Sequence, residues 1–424
     1  MANPTGLRRI VTQGASVASI RIALIGVAFV SSIVVTRALA VEERGLFGLL
    51  LAVGALGIQF GNLGLPVANT YLVARRPEQL QALVANTTRS FLWIAVSLGL
   101  IGAAAIRMIP AWSSLSGVCA VMVWCVALAG LAQSMVQNML FGVFRFSAGN
   151  MVEVVARLGL IAGMVIAWRL GWTTAAWFAG IFTASTAAAT WWGMRASGIR
   201  PSVRSWDGRL WREQMRIGSR VYVACLASFL LTRLPIYAVE SRGGLKGLAF
   251  FTQAMLVADT MLVLPASLGT VLFPSLASTR GSSLRIRSTL RLAAIVACIM
   301  LLAVAAAAWL GPIAFPLIYG KAYAASMPIL FAMLPGVATL GVCSVMQNAL
   351  SANGYPWAAV ASPVAGVLAV SLGLYFTDTV IGCGWAYSIG AAVMLSFSSV
   401  AWWFHRHDWS EIGESAASAD HLPT

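Results

Sequence analysis

RASGIRPSVRSWDGRLWREQMR, residues 195–216, is the longest polar segment of the chain and stands close to the middle of its 424 residues. Before it lie apolar runs at about 16–38, 46–72, 86–107, 116–141, 150–168 and 172–194. After it come runs at about 217–240, 247–273, 290–310, 326–351, 356–376 and 379–404. A helix that crosses a bilayer needs about 20 apolar residues. The pattern therefore predicts an all-α polytopic membrane protein with about twelve transmembrane helices in two six-helix lobes. The expected division is an N-terminal lobe over 1–194, a cytoplasmic basic linker over 195–216, a C-terminal lobe over 217–404 and a cytoplasmic tail over 405–424.

Composition agrees with this reading. The chain is 59% hydrophobic and only 10% charged, with a mean hydropathy of +0.84, far outside soluble usage. Twelve spans with short loops leave little chain for a soluble catalytic domain, so no enzyme activity is expected. The net charge of +15 would suggest nucleic-acid binding in a soluble protein; here it reads as orientation and contact with membrane lipids. Of the 28 Lys and Arg, eighteen fall at the N-terminus, in the even-numbered loops or in the tail, and seven in the odd-numbered loops. Arg21, Arg157 and Arg233 lie within spans. This asymmetry predicts cytoplasmic N- and C-termini. Ala38-Leu39-Ala40 has the look of a cleavage site, but the preceding run is too long for a signal peptide and is expected to stay as the first helix.

The six cysteines stand singly in apolar runs without a CxxC pair, and the three histidines sit at 405, 407 and 421. Neither a disulfide framework nor a metal site is indicated. No GxxxxGK[ST] loop occurs, so no nucleotide is hydrolysed by this chain and no cofactor is expected.

The two halves resemble each other. SMVQNML (134–140) matches SVMQNAL (344–350), and Arg44-Gly45-Leu46 after the first span matches Lys246-Gly247-Leu248 after the seventh. Both pairs fall on equivalent elements, which points to a duplication. An even number of spans per half inserts both copies in the same sense, with a pseudo-two-fold axis along the membrane normal.

An ionisable side chain at mid-bilayer costs roughly 2.5–3.5 kcal/mol on insertion scales and should face a wet cavity or a partner. Arg21 shares a helical stripe with Gly14, Ala28, Ser32 and Thr36. Gln59, Asn62, Pro66 and Asn69 form a second polar stripe on the second span. Arg233 shares a face with Tyr222, Tyr237 and Glu240 on the seventh span, and Asp259 one with Thr252 and Thr270 on the eighth. Arg233 can also serve simply to neutralise Asp259 or Glu240. Glu153 most simply pairs with Arg157 four residues on. Gln137 and Asn138, with their equivalents Gln347 and Asn348, are expected to hydrogen-bond between helices or cap helix ends. If such a chain transports directionally, the lack of nucleotide hydrolysis calls for an ion gradient and hence a carboxylate in the membrane. Asp259 is the preferred ion-coupling residue, with Glu153 behind it.

The segments Thr36-Arg37-Ala38-Leu39, Glu42-Glu43-Arg44-Gly45-Leu46-Phe47 and GNLGLPVANTYLVAR (61–75), followed by LFPSLAST (272–279), IYGKAY (318–323) and ANGYP (352–356), resemble bacterial polysaccharide flippases of the O-antigen type. That family shares a superfamily with the lipid II flippases and the multidrug and toxin extrusion (MATE) transporters. The resemblance implies a central cavity lined mainly by spans one, two, seven and eight, and a lipid-linked oligosaccharide, carried on polyprenyl pyrophosphate, as substrate. It also implies a cytoplasmic (inner) membrane location and polysaccharide polymerase or ligase machinery as partners. On this reading Arg21 and Arg233 meet the pyrophosphate, because guanidinium charge is fixed and its donors are forked. Gln59, Asn62, Asn69 and Tyr237 would meet sugar hydroxyls. The family carries an acid followed by Arg in the middle of span seven. Thr232-Arg233 stands there in this chain, so a carboxylate role would pass to Asp259.

Two other functions are open to such a chain. A cation-coupled drug exporter would need carboxylates in an otherwise apolar cavity, and the first span offers Arg21 and no acid. A membrane glycan ligase or polymerase would need a substantial outside loop, whereas the loops at about 108–115 and 311–325 are short and lack His, Asp and Glu.

Overall fold

In a computed structural model, which describes residues 26–115, 117–199, 201–203, 206–278, 282–352 and 356–405, the described part of each expected span is mostly helical. The helices are α1 (Gly26–Ala38), α2 (Val41–Asn62), α3 (Leu65–Arg75), α4 (Leu80–Met108), α5 (Val118–Gly142), α6 (Phe146–Arg169) and α7 (Ala175–Ser197). They continue with α8 (Gly208–Ser278), α9 (Ser282–Tyr319), α10 (Ser326–Ala352), α11 (Pro356–Tyr375) and α12 (Val380–His405).

Eight helices among the described residues are long and apolar enough to cross a membrane. Three features account for the difference from twelve. The stretch Tyr222–Val263 holds two spans joined at Gly244, whose φ of 60° and ψ of −167° break the helix. The apolar stretches Gly26–Ala38 and Val360–Tyr375 are short. Finally, α7 carries hydroxyl residues such as Thr183, Ser185, Thr186 and Thr190, which lower its hydropathy. The outward faces are apolar, as lipid demands: Leu100 on α4 is 70% exposed and Leu302 on α9 is 71% exposed.

The second expected span is divided. Leu63 (φ 49°) and Gly64 (φ 75°) adopt left-handed backbone between α2 and α3, and the Asn62 side chain accepts the Gly64 N–H at 3.1 Å. Only glycine fits at 64. A Cβ there would lie 2.2 Å from the Gly218 carbonyl oxygen, so the start of α3 and the first part of α8 cross backbone to backbone.

The polar segment at mid-chain is not wholly a loop. Its second half opens α8, with Asp207 as N-cap accepting the N–H groups of Arg209 (2.8 Å) and Leu210 (3.1 Å). Glu43 at the head of α2 accepts the Ala175 N–H at 2.6 Å, where the partial positive charge of the α7 N-terminus favours a carboxylate.

The chain forms two compact units. One runs to Leu226 and takes in Gly243–Ala249; the other holds Ala227–Arg242 and the chain from Phe250 onward. Within the first, α5 and α6 both pack on α7; within the second, α10 and α11 both pack on α12. The repeated glutamines behave alike. Gln137 on α5 donates to the Gly149 carbonyl of α6 at 3.2 Å, and Gln347 on α10 donates to Ser362 Oγ of α11 and to Ser398 Oγ of α12. Equivalent residues thus tie equivalent helices, as a duplication requires.

In α10, Pro335 supplies no N–H, and the Ser388 hydroxyl of α12 enters the neighbouring rung of the helix. It accepts the Gly336 N–H at 2.9 Å and donates to the Ala332 carbonyl at 2.6 Å.

Candidate functional site

In the second unit, Arg233 and Asp259 meet. Gly244 lets the two arms of α8 fold back on each other, and the Arg233 Nη2 lies 2.7 Å from the Asp259 Oδ2. The side chains are 30% and 33% exposed, so the pair is neither sealed in a core nor free in water. Tyr237, one turn beyond Arg233, and Tyr387 of α12 are near enough to feel both charges or one of them. Tyr387 is fully buried, and its hydroxyl has no hydrogen-bond partner among the described residues. Its ring occupies space that Gly336 leaves open, since a Cβ at 336 would come within 2.8 Å of it. The arrangement offers a charged fork with two phenols around it, chemistry suited to an anionic or hydroxyl-rich ligand.

Hydropathy singled out Arg233, Asp259 and Tyr237. Tyr387 escaped notice because it lies more than 120 residues further along an apolar run. Only the packing of α12 brings it to the pair.

In the first unit the stripe on the second span separates into different duties. Gln59 is partly exposed on α2. Asn62 spends its side-chain oxygen on the break before α3. Asn69 is fully buried and closed to a ligand: its amide donates to Thr87 Oγ1 at 3.0 Å, and its oxygen accepts from Gln214 Nε2 at 2.7 Å. Gln214 in turn accepts from Asn86 Nδ2 at 3.2 Å, and Asn86 holds the Asp207 backbone through bonds of 2.9 and 3.0 Å. This buried network anchors the first turn of α8 to α3 and α4.

Replacing Gln214 by Leu takes the short 2.7 Å donor from the Asn69 oxygen and one acceptor from the Asn86 amide in a buried setting, leaving these groups only the Thr87 and Asp207 bonds. We expect a loss of about 1–3 kcal/mol, seen as a lower melting temperature of the purified protein in detergent. An unchanged melting temperature would mean that the network does not hold α8.

Glu153 pairs with Arg157 at 3.3 Å, as the four-residue spacing suggests. Together they border a cavity of about 220 Å³ that Gln133, Ser134, Gln137 and Thr186 also line. Arg21 lies outside the described residues.

Several solved structures share this fold. An inward-facing MATE transporter of the MOP superfamily is 14% identical with a TM-score of 0.75, over 94% of this chain and 99% of that one. The lipid II flippase MurJ in an inward closed conformation is 10% identical with a TM-score of 0.74, over 97% and 94%. A MOP superfamily transporter from Pyrococcus furiosus, described as having reversed polarity in its binding pocket, is 13% identical with a TM-score of 0.64, over 93% and 94%. At these identities the likeness concerns the fold alone, a twelve-helix membrane fold found in transporters and a flippase. No curated protein matches the chain. The sequence itself carries the family signature: residues 11–280, well over half of the chain, match the model described as polysaccharide biosynthesis protein, and the chain belongs to that family.

Proposed function

We propose that this protein flips a polyprenyl-pyrophosphate-linked oligosaccharide across the bacterial cytoplasmic membrane by alternating access, coupled to an ion gradient, for surface polysaccharide synthesis. The observation that carries the reading is a partly exposed arginine–aspartate pair inside spanning helices of a polysaccharide biosynthesis family member. A pyrophosphate cannot enter hydrocarbon without charge compensation. An arginine supplies this with fixed charge and forked donors. In the proposal Arg21 and Arg233 meet the pyrophosphate, and Gln59, Asn62 and Tyr237 meet the sugars. Asp259 releases Arg233 to the substrate when it takes up a proton or yields to a cation, which links transport to the gradient.

Liposomes loaded with a short-chain polyprenyl pyrophosphate oligosaccharide provide the test. Purified protein should move the lipid between leaflets, and an imposed gradient should drive its accumulation. Asp259→Asn should retain downhill exchange and lose gradient-driven accumulation. Full gradient response in that variant would leave Asp259 as a counter-ion only.

The polar cavity beside Glu153 supports a second reading, a cation-coupled exporter of small molecules. That reading expects efflux of an organic cation from the same liposomes and no movement of the lipid.

We further propose that the arginine asymmetry places both termini in the cytoplasm. Reporter fusions after Arg287 should then report cytoplasm, and fusions near Lys246 and Lys321 should report the outside. The opposite pattern would invert the protein.

A further inference from the structure

The first unit holds a group of arginines that this transport scheme does not use. Arg75 closes α3, and its guanidinium sits 4.8 Å from the centroid of the Tyr71 ring one turn earlier. Arg76 follows it and forks onto the Glu213 carboxylate of α8 at 2.9 and 3.2 Å. Arg216, three residues beyond Glu213, completes the rim. These side chains bound a hollow of about 580 Å³.

The charges there do not balance. Glu213 is matched to Arg76, while among the described residues neither Arg75 nor Arg216 has a carboxylate within 4.0 Å. Converging guanidinium groups with free donors are a receptor for a multiply charged oxyanion.

A second hollow, of about 450 Å³, lies against the same Tyr71 and Arg75. Val67 and Ala74 contribute carbon to its wall. Apart from Tyr71 and Arg75 at the shared rim, its polar lining is bonded within the protein: the Thr70 hydroxyl donates to the Asn138 carbonyl at 2.8 Å, and the Asn138 amide donates to the Ser134 carbonyl at 2.9 Å. Beyond that rim the surface offers few open polar groups and suits hydrocarbon. A ligand crossing from one hollow to the other would carry its anionic end among the arginines and a chain beside Val67.

We propose that this pair of hollows is a lipid-phosphate site, holding a phosphate or diphosphate head group at Arg75 and Arg216 and the first part of its hydrocarbon chain along Val67 and Tyr71. The site uses none of the residues assigned to transport and does not depend on the transport scheme. Its occupant is either a prenyl diphosphate or an anionic phospholipid of the bilayer, which share this chemistry.

Native mass spectrometry of the full chain in dodecyl maltoside, titrated with farnesyl diphosphate, dioctanoyl phosphatidylglycerol or inorganic phosphate, tests it. Each titration is made on the Arg21→Ala/Arg233→Ala/Asp259→Asn background, so that a head group held by Arg21 or Arg233 is not counted. Arg75→Gln/Arg216→Gln should weaken the lipid ligands about tenfold or more. Inorganic phosphate should bind about tenfold more weakly than farnesyl diphosphate, because it gains nothing from the apolar hollow. Val67→Asp should weaken farnesyl diphosphate and leave inorganic phosphate unchanged. Tight binding of farnesyl diphosphate alone identifies a prenyl diphosphate as the occupant, and comparable binding of phosphatidylglycerol identifies bilayer lipid; both uphold the site. Equal lipid binding with and without the two arginines overturns it. Should the double glutamine variant fail to fold, Arg216→Gln alone decides: lipid binding at unchanged strength overturns the site, and Arg75→Lys/Arg216→Lys should retain part of the affinity.

Discussion

Arg233→Ala is expected to abolish export of the lipid-linked glycan and to lower the yield of folded protein, whereas adding Asp259→Asn restores the yield and not the export. The single substitution strips the Asp259 carboxylate of a cation held at 2.7 Å, in a site only about one-third exposed. Breaking a fully buried pair costs about 3–5 kcal/mol; the partial exposure here makes that an upper bound. Neutralising Asp259 as well removes the stranded charge, so the fold recovers. Under the proposed function export does not, because a pyrophosphate substrate would still lack its forked donors. Surface glycan measured alongside size-exclusion profiles of the detergent-extracted protein separates the two effects. Recovery of export by the double variant would reduce the pair to a structural counter-ion arrangement, and normal export by the single variant would remove Arg233 from the binding site.

Gly45→Val is the substitution with the greatest expected effect on folding. A Cβ at Gly45 would stand 1.9 Å from the Leu245 carbonyl oxygen and 2.7 Å from its carbon. Those are backbone atoms, so no change of rotamer relieves the clash. One element must move away from the other. The penalty belongs among the exceptional ones, above about 4–5 kcal/mol, and monodisperse protein should be nearly absent from detergent extracts. Gly102→Ala on α4 provides the contrast. Nothing lies within 4 Å of its added Cβ, and alanine is the better helix former by about 1 kcal/mol. Comparable yields of the Gly45 and Gly102 variants would refute the close crossing at Leu245.

The crossing at Gly45 also shows where reading along the chain stops. Arg44-Gly45-Leu46 and Lys246-Gly247-Leu248 stand out as copies of one motif from sequence alone, and so do the glutamines at 137 and 347. That the first copy lies against the residue preceding the second is visible only in three dimensions. Hydropathy is summed over about 20 neighbouring residues, so it locates spans, arginine asymmetry and in-membrane charges such as Arg233 and Asp259 without knowledge of any partner. The Glu153–Arg157 pair was equally legible, because helix geometry alone sets a four-residue contact.

Contacts between distant residues follow a different logic. The stripe of Gln59, Asn62 and Asn69 reads as one polar face, yet Asn62 caps a helix break and Asn69 is buried against Thr87 and Gln214, the latter 145 positions away. An amide that looks open to a ligand in a helical projection is closed by a helix whose position the local sequence does not encode. The same holds for Tyr387 beside Arg233, and for the Ser388 hydroxyl that enters α10 next to Pro335. Local composition by itself determined that this chain lives in a bilayer, as twelve helices in two related halves. Tertiary packing alone decided which polar side chains are spent on holding those helices and which remain half-open, because a hydrogen bond or ion pair depends on distances that no single helix sets.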